Sequence, residues 1–526
     1  MTISEAMAYI QGYQKSGKPV HDLSRIQALL DAIGNPQEQL QVIHIAGTNG
    51  KGSVTAFCAA AATAAGFRTG TLTSPFIQHY TDRIQIDGQD IPGEALCRFC
   101  EQVKACPVSA DCSQFEITFA IALLWFLEQH CDLVVLETGI GGLLDATNVV
   151  KKPLVCAITS VSFDHMALLG NTLTEIAAQK AGIIKQGCPV VLSTDNPMDV
   201  VCLVQETAKQ KNAQLVIPNM QDCRILSETL EETVFQYHSF TYTLHMPGRH
   251  QVYNAMTAIE VIRFLGMHGY LITAAVANDA FSKVRVPART ELLRKDPMVL
   301  LDGGHNQAGV MALADLLRSA GQKPIHGICG MISTKDYHTA CQILGGVLDT
   351  VTCVDDFVQN AVPREELAAC FADHAGVQTA ASFQAAYADA LAQVRATGYG
   401  IVMPDASELH LEKPEIVRKN GGYAVRLKAS APSIHLLRAD VETELSPMVG
   451  GEQESEQLIR YLLSEYEEDT EKLWESNLFG KSLYELVSEG LSGKLARMPD
   501  DVRAKLRRTL CRMINENTGG MICILL

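Results

Sequence analysis

The sequence predicts an α/β chain in three parts: a mostly parallel sheet covered by helices, a second and smaller α/β block, and a C-terminal α+β module. Three observations carry this. Short apolar runs alternate with helical ones from Val42 to Leu192, the alternation resumes at Val299, and the texture changes between Pro404 and Gly422. The length of 526 residues fits about three domains at roughly 150 residues each.

The first strand, Val42 to Ala46, runs into Gly47-Thr-Asn-Gly-Lys-Gly-Ser53 and then the alanine-rich helix Val54 to Ala65. A strand, a tight glycine turn and a helix form a phosphate cradle. Glycines let backbone N–H groups of Gly47, Thr48, Asn49, Gly50 and Gly52 converge on phosphate oxygens, the helix N-terminus adds partial positive charge, Lys51 supplies a cation, and the Ser53 hydroxyl can reach a magnesium ion. Gly47 stands only three positions before Gly50, shorter than the generic phosphate-loop spacing. A plain strand-to-helix turn is the alternative, and the Lys-Gly-Ser ending with correct flanks favours phosphate.

Further along come helix Ile117 to Gln129, strand Leu133 to Glu137, strand Leu154 to Ser160, helix Ile176 to Ile184 and strand Pro189 to Leu192. The second block has a strand from Val299 through Leu301, helix Gly309 to Ser319, strands Ile325 to Gly330 and Thr350 to Val354, helix Phe383 to Ala396 and a last strand Gly400 to Met403. Beyond the charged stretch with Pro414 and Gly421-Gly422, residues Tyr423 to Ala429 alternate as a half-exposed strand. Val502, Leu506, Leu510 and Met513 keep helical spacing, and Met521 to Leu526 reads as a buried strand. The acidic run Glu465 to Glu471 reads as a solvated face.

Composition narrows the function. Hydrophobic residues make up 47% and charged residues 19%, and no apolar run approaches the roughly 20 residues of a membrane helix. A net charge of −16 argues against nucleic acid as a partner, since phosphate backbones require a basic face. The N-terminus lacks the pattern of a signal peptide, so the expected location is the cytoplasm and the sixteen cysteines are expected to be thiols. Cys97, Cys100, Cys106 and Cys112 lie close together but without a paired Cys-x2-Cys framework, so they read as helix residues rather than a zinc site.

A set of motifs follows the loop in order: Thr73-Ser-Pro75, Asp82-Arg-Ile84, Phe115-Glu116, Glu137-Thr-Gly139 with Gly141-Gly142, Asp164-His165, Lys180-Ala-Gly182, His250-Gln251 with Asn254, Arg289 with Glu291, and Leu301-Asp-Gly-Gly-His-Asn306. Over about residues 1 to 402 the chain resembles the Mur ligase-like amide ligases, and within them the bifunctional folylpolyglutamate synthases and dihydrofolate synthases. The resemblance implies a P-loop ATPase domain over 1–285 and a Rossmann-like glutamate-ligase domain over 286–403. It also implies a monomeric ligase that uses ATP to convert a folate or dihydropteroate carboxylate to an acyl phosphate, which the amine of L-glutamate attacks.

Site roles follow from the same resemblance. Ser53, Ser74 and Glu137 would hold one magnesium ion, and His165 with a carbamoylated Lys180 a second. Asn254, Arg289 and Asp302 would join the loop at ATP, while His305 and Lys335 would steer glutamate. Each has a plainer alternative: a strand-end carboxylate for Glu137, a satisfied buried histidine for His165, a surface lysine for Lys180. The pattern departs from the family at Phe76 and Leu143, where histidine and a polar residue are common, at Pro287-Ala-Arg289 in place of Pro-Gly-Arg, and at Ser333-Thr334, where an acid often precedes Lys-Asp.

From about 404 to 526 the sequence resembles the C-terminal part of stage IV sporulation protein A, through Ala424-Val-Arg-Leu-Lys-Ala429, Ala431-Pro-Ser-Ile-His435, Trp474-Glu-Ser476 and Phe479-Gly-Lys-Ser482. This implies an interaction module with a spore-coat or forespore-surface partner. Phe479 to Ser482 mimics a phosphate loop, but no preceding strand is expected and no earlier glycine completes it. An assembly protein carrying a degenerate ligase part is the alternative reading of the whole chain, and a ligase acting on cell-wall precursors is a third.

Overall fold

The computed structural model describes residues 1–13, 22–76, 79–295, 298–321, 324–357, 360–371, 374 and 376–394, and beyond these only the strands 410–411, 415–419, 422–430, 438–444, 477–478, 481–482 and 520–525. The chain divides into two compact units. One comprises Met1–Leu292, Leu300–Phe383 and Arg508–Cys523, the other Leu293–Val299, Gln384–Arg507 and Ile524–Leu526.

In the first unit an eight-stranded sheet contains β1 (Val42–Ala46), β2 (Thr69–Leu72), β3 (Ile84–Ile86), β4 (Gln89–Asp90), β5 (Leu133–Glu137), β6 (Val155–Ile158), β7 (Val190–Leu192) and β8 (Leu215–Val216), in the order β4-β3-β2-β5-β1-β6-β7-β8. From β2 through β8 neighbouring strands are parallel, while β3 and β4 add an antiparallel edge. Every residue of β1 is buried, as expected for a parallel strand covered on both faces. Ile43 and Ile45 pack with Phe57 of helix Lys51–Ala64 and with Ile259 and Ile262 of helix Arg249–Met267. The largely apolar helix Gln114–Glu128 fills the other face with Ile117, Phe119 and Phe126, together with Leu29 and Leu30.

A three-stranded antiparallel sheet, β9 (Cys223–Glu228), β10 (Thr233–Tyr237) and β11 (Phe240–Leu244), went unread in the sequence, as did β2 to β4. Its inward residues Phe235, Tyr237, Tyr242 and Leu244 join the core of helix Arg249–Met267.

His44 sits on the opposite face of β1 from Ile43 and Ile45. It is fully buried, with its Nε2 2.8 Å from the Thr147 hydroxyl. Burial lowers its pKa to about 3 from the ordinary 6.5. A histidine depressed in the folded state binds fewer protons there than in the unfolded chain, so stability falls as pH drops from about 6.5 toward 3. His44→Gln is expected to flatten this dependence by up to about 1.4 kcal/mol per pH unit between pH 6 and 4. Urea midpoints of both proteins across that range are the check; parallel curves would show that His44 does not carry it.

The second sheet has the order β12-β13-β23-β14-β15-β16, formed by β12 (Glu291–Lys295), β13 (Met298–Asp302), β14 (His326–Met331), β15 (Thr350–Cys353), β16 (Val377–Thr379) and the C-terminal β23 (Gly520–Leu525). The closing strand read from Met521 to Leu526 is thus present, and it lies between β13 and β14. The strand read over Gly400 to Met403, the helix at Val502 to Met513 and the acidic run at Glu465 to Glu471 lie outside the described residues.

Farther along the chain, β19 (Gly422–Ser430) pairs antiparallel with β17 (His410–Leu411), β18 (Glu415–Lys419) and β20 (Arg438–Glu444). The register sets Arg426 opposite Glu415 and Glu442, and Lys428 opposite Asp440. A two-residue strand, β21 (Asn477–Leu478), does precede Lys481-Ser482, contrary to the sequence reading. It pairs antiparallel with β22 (Lys481–Ser482), an arrangement unlike the parallel strand and helix of a phosphate loop.

Candidate active site

Strand order brings the site together. β2, β5, β1 and β6 are consecutive neighbours, so the segments leaving their carboxyl ends, Thr73-Ser74, Glu137-Thr138, Gly47–Gly50 and Thr159–His165, stand side by side. This is the edge where parallel α/β sheets bind ligands. A cavity of about 1330 Å³ opens there, lined by Lys51, Ser53, Ser74, Glu137, His165, Asn254, Arg289, Asp302 and His305 among others.

The loop conformation requires its glycines. Gly50 has φ +89°, and a Cβ there would lie 2.2 Å from Asn254 Oδ1, while a Cβ on Gly47 would lie 1.7 Å from Thr159 Oγ1. Asn254 therefore closes against the loop from helix Arg249–Met267. Thr48 is tied to the segment after β6, its N–H donating to the Ser160 carbonyl at 2.7 Å and its hydroxyl to the Ser162 carbonyl at 3.1 Å. Lys51 Nζ donates to the carbonyls of Gly47 and Thr48, both at 3.2 Å. Burial lowers its pKa, opposed by the Glu137 and Asp164 charges.

Glu137 is 3% exposed, and burial raises its carboxyl to about 7 against the opposing charge of Lys51. Its Oε2 accepts from the Ser74 N–H at 3.4 Å. Ser53, Ser74 and Glu137 line the same cavity and offer hard oxygen donors, the kind that magnesium prefers. Lys180 is not a surface lysine. It is 3% exposed, donates to the Gly47 carbonyl at 2.8 Å, and burial followed by the Lys51 charge lowers its pKa to about 7. His165 begins the short helix Met166–Leu169 with φ +49°, its ring is partly exposed, and burial lowers its pKa to about 4.

From the second sheet, β13 delivers Asp302, whose carboxylate accepts from the N–H groups of Thr290 at 2.8 Å and Gly304 at 2.7 Å. Burial raises its pKa, opposed by Arg289. Asn306 caps helix Gln307–Ala320 and shares two 3.0 Å amide hydrogen bonds with Asn49 of the phosphate loop. His305 Nδ1 lies 2.9 Å from the Gly303 carbonyl, and burial lowers its pKa. Sequence reasoning noted Asp164 only as a motif letter and assigned it no role. Its carboxylate meets Lys335 Nζ at 2.6 Å and His305 Nε2 at 3.5 Å. Burial alone would raise Asp164, but the His305 hydrogen bond and the charges of His305, His165 and Lys335 hold it well below the usual range.

Three of the departures from the family pattern sit in different settings. Phe76 is buried against Tyr80, with the Arg83 guanidinium 5.3 Å from its ring. Leu143 is 45% exposed. Ala288 adopts φ +56°, a left-handed conformation that glycine takes without cost and alanine at about 1 kcal/mol, which explains why glycine suits this position.

A phosphate loop, a buried acid beside it, and cationic side chains converging from a second α/β sheet define an ATP-dependent acid–amino-acid ligase of the Mur type. Residues 45–262 match the Mur ligase middle domain and 288–405 the Mur ligase, glutamate ligase domain. The chain is 34% identical over 382 residues to the dihydrofolate synthase/folylpolyglutamate synthase of Bacillus subtilis, covering 69% of this chain and 86% of that one. It belongs to the dihydrofolate synthase/folylpolyglutamate synthase family. Folylpolyglutamate synthase of Mycobacterium tuberculosis, complexed with ADP and AMPPCP, superposes with a TM-score of 0.67 at 29% identity over 75% of this chain and 92% of that one. An FPGS–AMPPCP–folate complex gives 0.64 at 31% identity, over 74% and 98%.

The C-terminal part matches a second family. Residues 370–450 fit the stage IV sporulation protein A middle domain and 451–526 its C-terminal domain. Over 138 residues the chain is 49% identical to stage IV sporulation protein A of Bacillus subtilis, spanning 26% of this chain and 28% of that protein. The chain is thus a ligase fused to a sporulation-protein segment.

Proposed function

We propose that the protein adds L-glutamate to the carboxylate of dihydropteroate or a reduced folate, with release of ADP and phosphate. The observation that carries this reading is the convergence of the phosphate loop and Glu137 with Arg289, Asp302 and His305 on one cavity, with Lys180 bonded to the loop carbonyl of Gly47. A carboxylate oxygen of the acceptor attacks the γ-phosphorus of ATP and ADP departs. The glutamate amine then attacks the acyl carbon, loses a proton, and phosphate leaves from the tetrahedral intermediate. Lys51 and the Arg289 guanidinium hold the transferring phosphoryl group as its charge shifts. Asn49, Thr48 and Asn254 shape the loop around ATP, Asp302 sets the segment that carries His305, and His305 with Lys335 orients glutamate.

Ser53, Ser74 and Glu137 would hold magnesium, which neutralises the phosphate oxygens when bound. A second ion would need more than His165, because the Lys180 amine is a donor. Its depressed pKa leaves much of it neutral near pH 7, the form that takes up carbon dioxide to give a carbamate with ligating oxygens.

We further propose three functional segments, 1–285 for ATP, 286–403 for glutamate and 404–526 for attachment to a spore-coat or forespore-surface partner, with the ligase part monomeric and working in the cytoplasm. Among the described residues no helix is long and apolar enough to cross a membrane. Purified full-length protein is expected to release ADP only when glutamate and either dihydropteroate or tetrahydrofolate are both present. No ADP with either acceptor would favour an assembly protein with a degenerate ligase part, and turnover with a uridine nucleotide acceptor would favour cell-wall chemistry.

A further inference from the structure

Asp164 is joined to residues far away in sequence. Its side chain is 10% exposed and that of Lys335 9%, and Lys335 Nζ meets Oδ1 at 2.6 Å. Oδ2 accepts from Asn306 Nδ2 at 3.2 Å and faces His305 Nε2 at 3.5 Å. One carboxylate thus gathers the lysine that follows β14 and two successive residues that follow β13. Asp164 is itself braced, since its Oδ1 accepts from the His165 N–H at 2.8 Å. Asn306 in turn reaches the phosphate loop through its paired bonds with Asn49.

A lysine so nearly excluded from water needs a counter-charge to hold one orientation, and among the described residues Asp164 is its ion-pair partner. Lys335 lies in a turn, its N–H bonded to the Ile332 carbonyl at 3.2 Å, so no helix or strand of its own directs the side chain. We propose that Asp164 is a positioning residue that orients Lys335 and His305 for the amino-acid substrate, an inference that rests on the ligase reading above. Asp164 acts through these two side chains and does not touch the reacting atoms.

A plain structural pin between the loop and the second sheet would weaken the fold and disturb ATP and glutamate alike. A positioning role raises the KM for glutamate selectively. The test is steady-state kinetics of full-length wild type, Asp164→Asn, Lys335→Met and the double variant, with thermal melts of each. Asp164→Asn keeps the shape and removes the charge. Each single variant is expected to raise the KM for glutamate about tenfold with the KM for ATP within about twofold of wild type, and the double variant is expected to be no worse than either single, since residues acting as a unit are non-additive.

Additive losses, equal rises in both KM values, or an Asp164→Asn enzyme indistinguishable from wild type would overturn the assignment while leaving the ligase reading intact. Should Asp164→Asn fail to fold, Lys335→Met alone must show the glutamate-selective rise, and its absence is equally decisive. A wild type that turns over no acceptor removes the ligase reading, and this assignment with it.

Discussion

Lys51→Ala is expected to reduce turnover by at least about 10²–10³-fold, the loss seen when one preorganised charge-stabilising group is removed, with the fold intact. The side chain makes no apolar core. Among the described residues its Nζ bonds the carbonyls of Gly47 and Thr48 in the same loop, and burial disfavours its charge, so its removal relieves a cost as well as losing contacts. Glu137 loses its principal opposing charge in the variant and becomes harder to ionise. ADP release measured alongside a thermal melt separates the outcomes. A folded Lys51→Ala protein with near-normal turnover would place the phosphate elsewhere.

Deletion of residues 520–526 is the second change with a large expected effect. β23 stands between β13 and β14, so its loss strips hydrogen-bond partners from two strands at once, and each buried backbone group left unpaired costs about 1–3 kcal/mol. β13 ends at Asp302 and β14 leads to Lys335, so activity should fall with solubility. Gly400-Ile-Val-Met403, another short apolar segment, is the natural competitor for the same place. A truncated protein that stays soluble and active would show that a segment within 1–519 fills the sheet and that the last strand is dispensable.

The phosphate loop was legible because its function demands residue types, glycine, lysine and serine, at close spacing beside an apolar strand. The alternation of strands and helices around it was legible because burial on both faces leaves unbroken apolar runs such as Leu133 to Leu136. The β9 to β11 sheet was not: β11 alternates strictly, Phe240-Thr-Tyr-Thr-Leu244, but β9 and the start of β10 do not, and the register shifts between Val234 and Phe235. Lys180 read locally as a surface lysine on a helix. Its burial against the Gly47 carbonyl depends on a chain separation of 133 residues that no local pattern records.

Asp164 marks the same boundary. As a letter beside His165 it carries a motif, whereas its link to Lys335, 171 residues away, exists only once two sheets have formed. By itself the sequence determined the class of this protein, its ligase and sporulation-protein segments and the residue types of the phosphate loop, because local chemistry and periodicity are written in order along the chain. Only the tertiary structure decided that Glu137 and Lys180 are buried, that Asp164 gathers Lys335 and His305, and that the last strand enters the second sheet, because burial and charge pairing arise between residues that meet only in space.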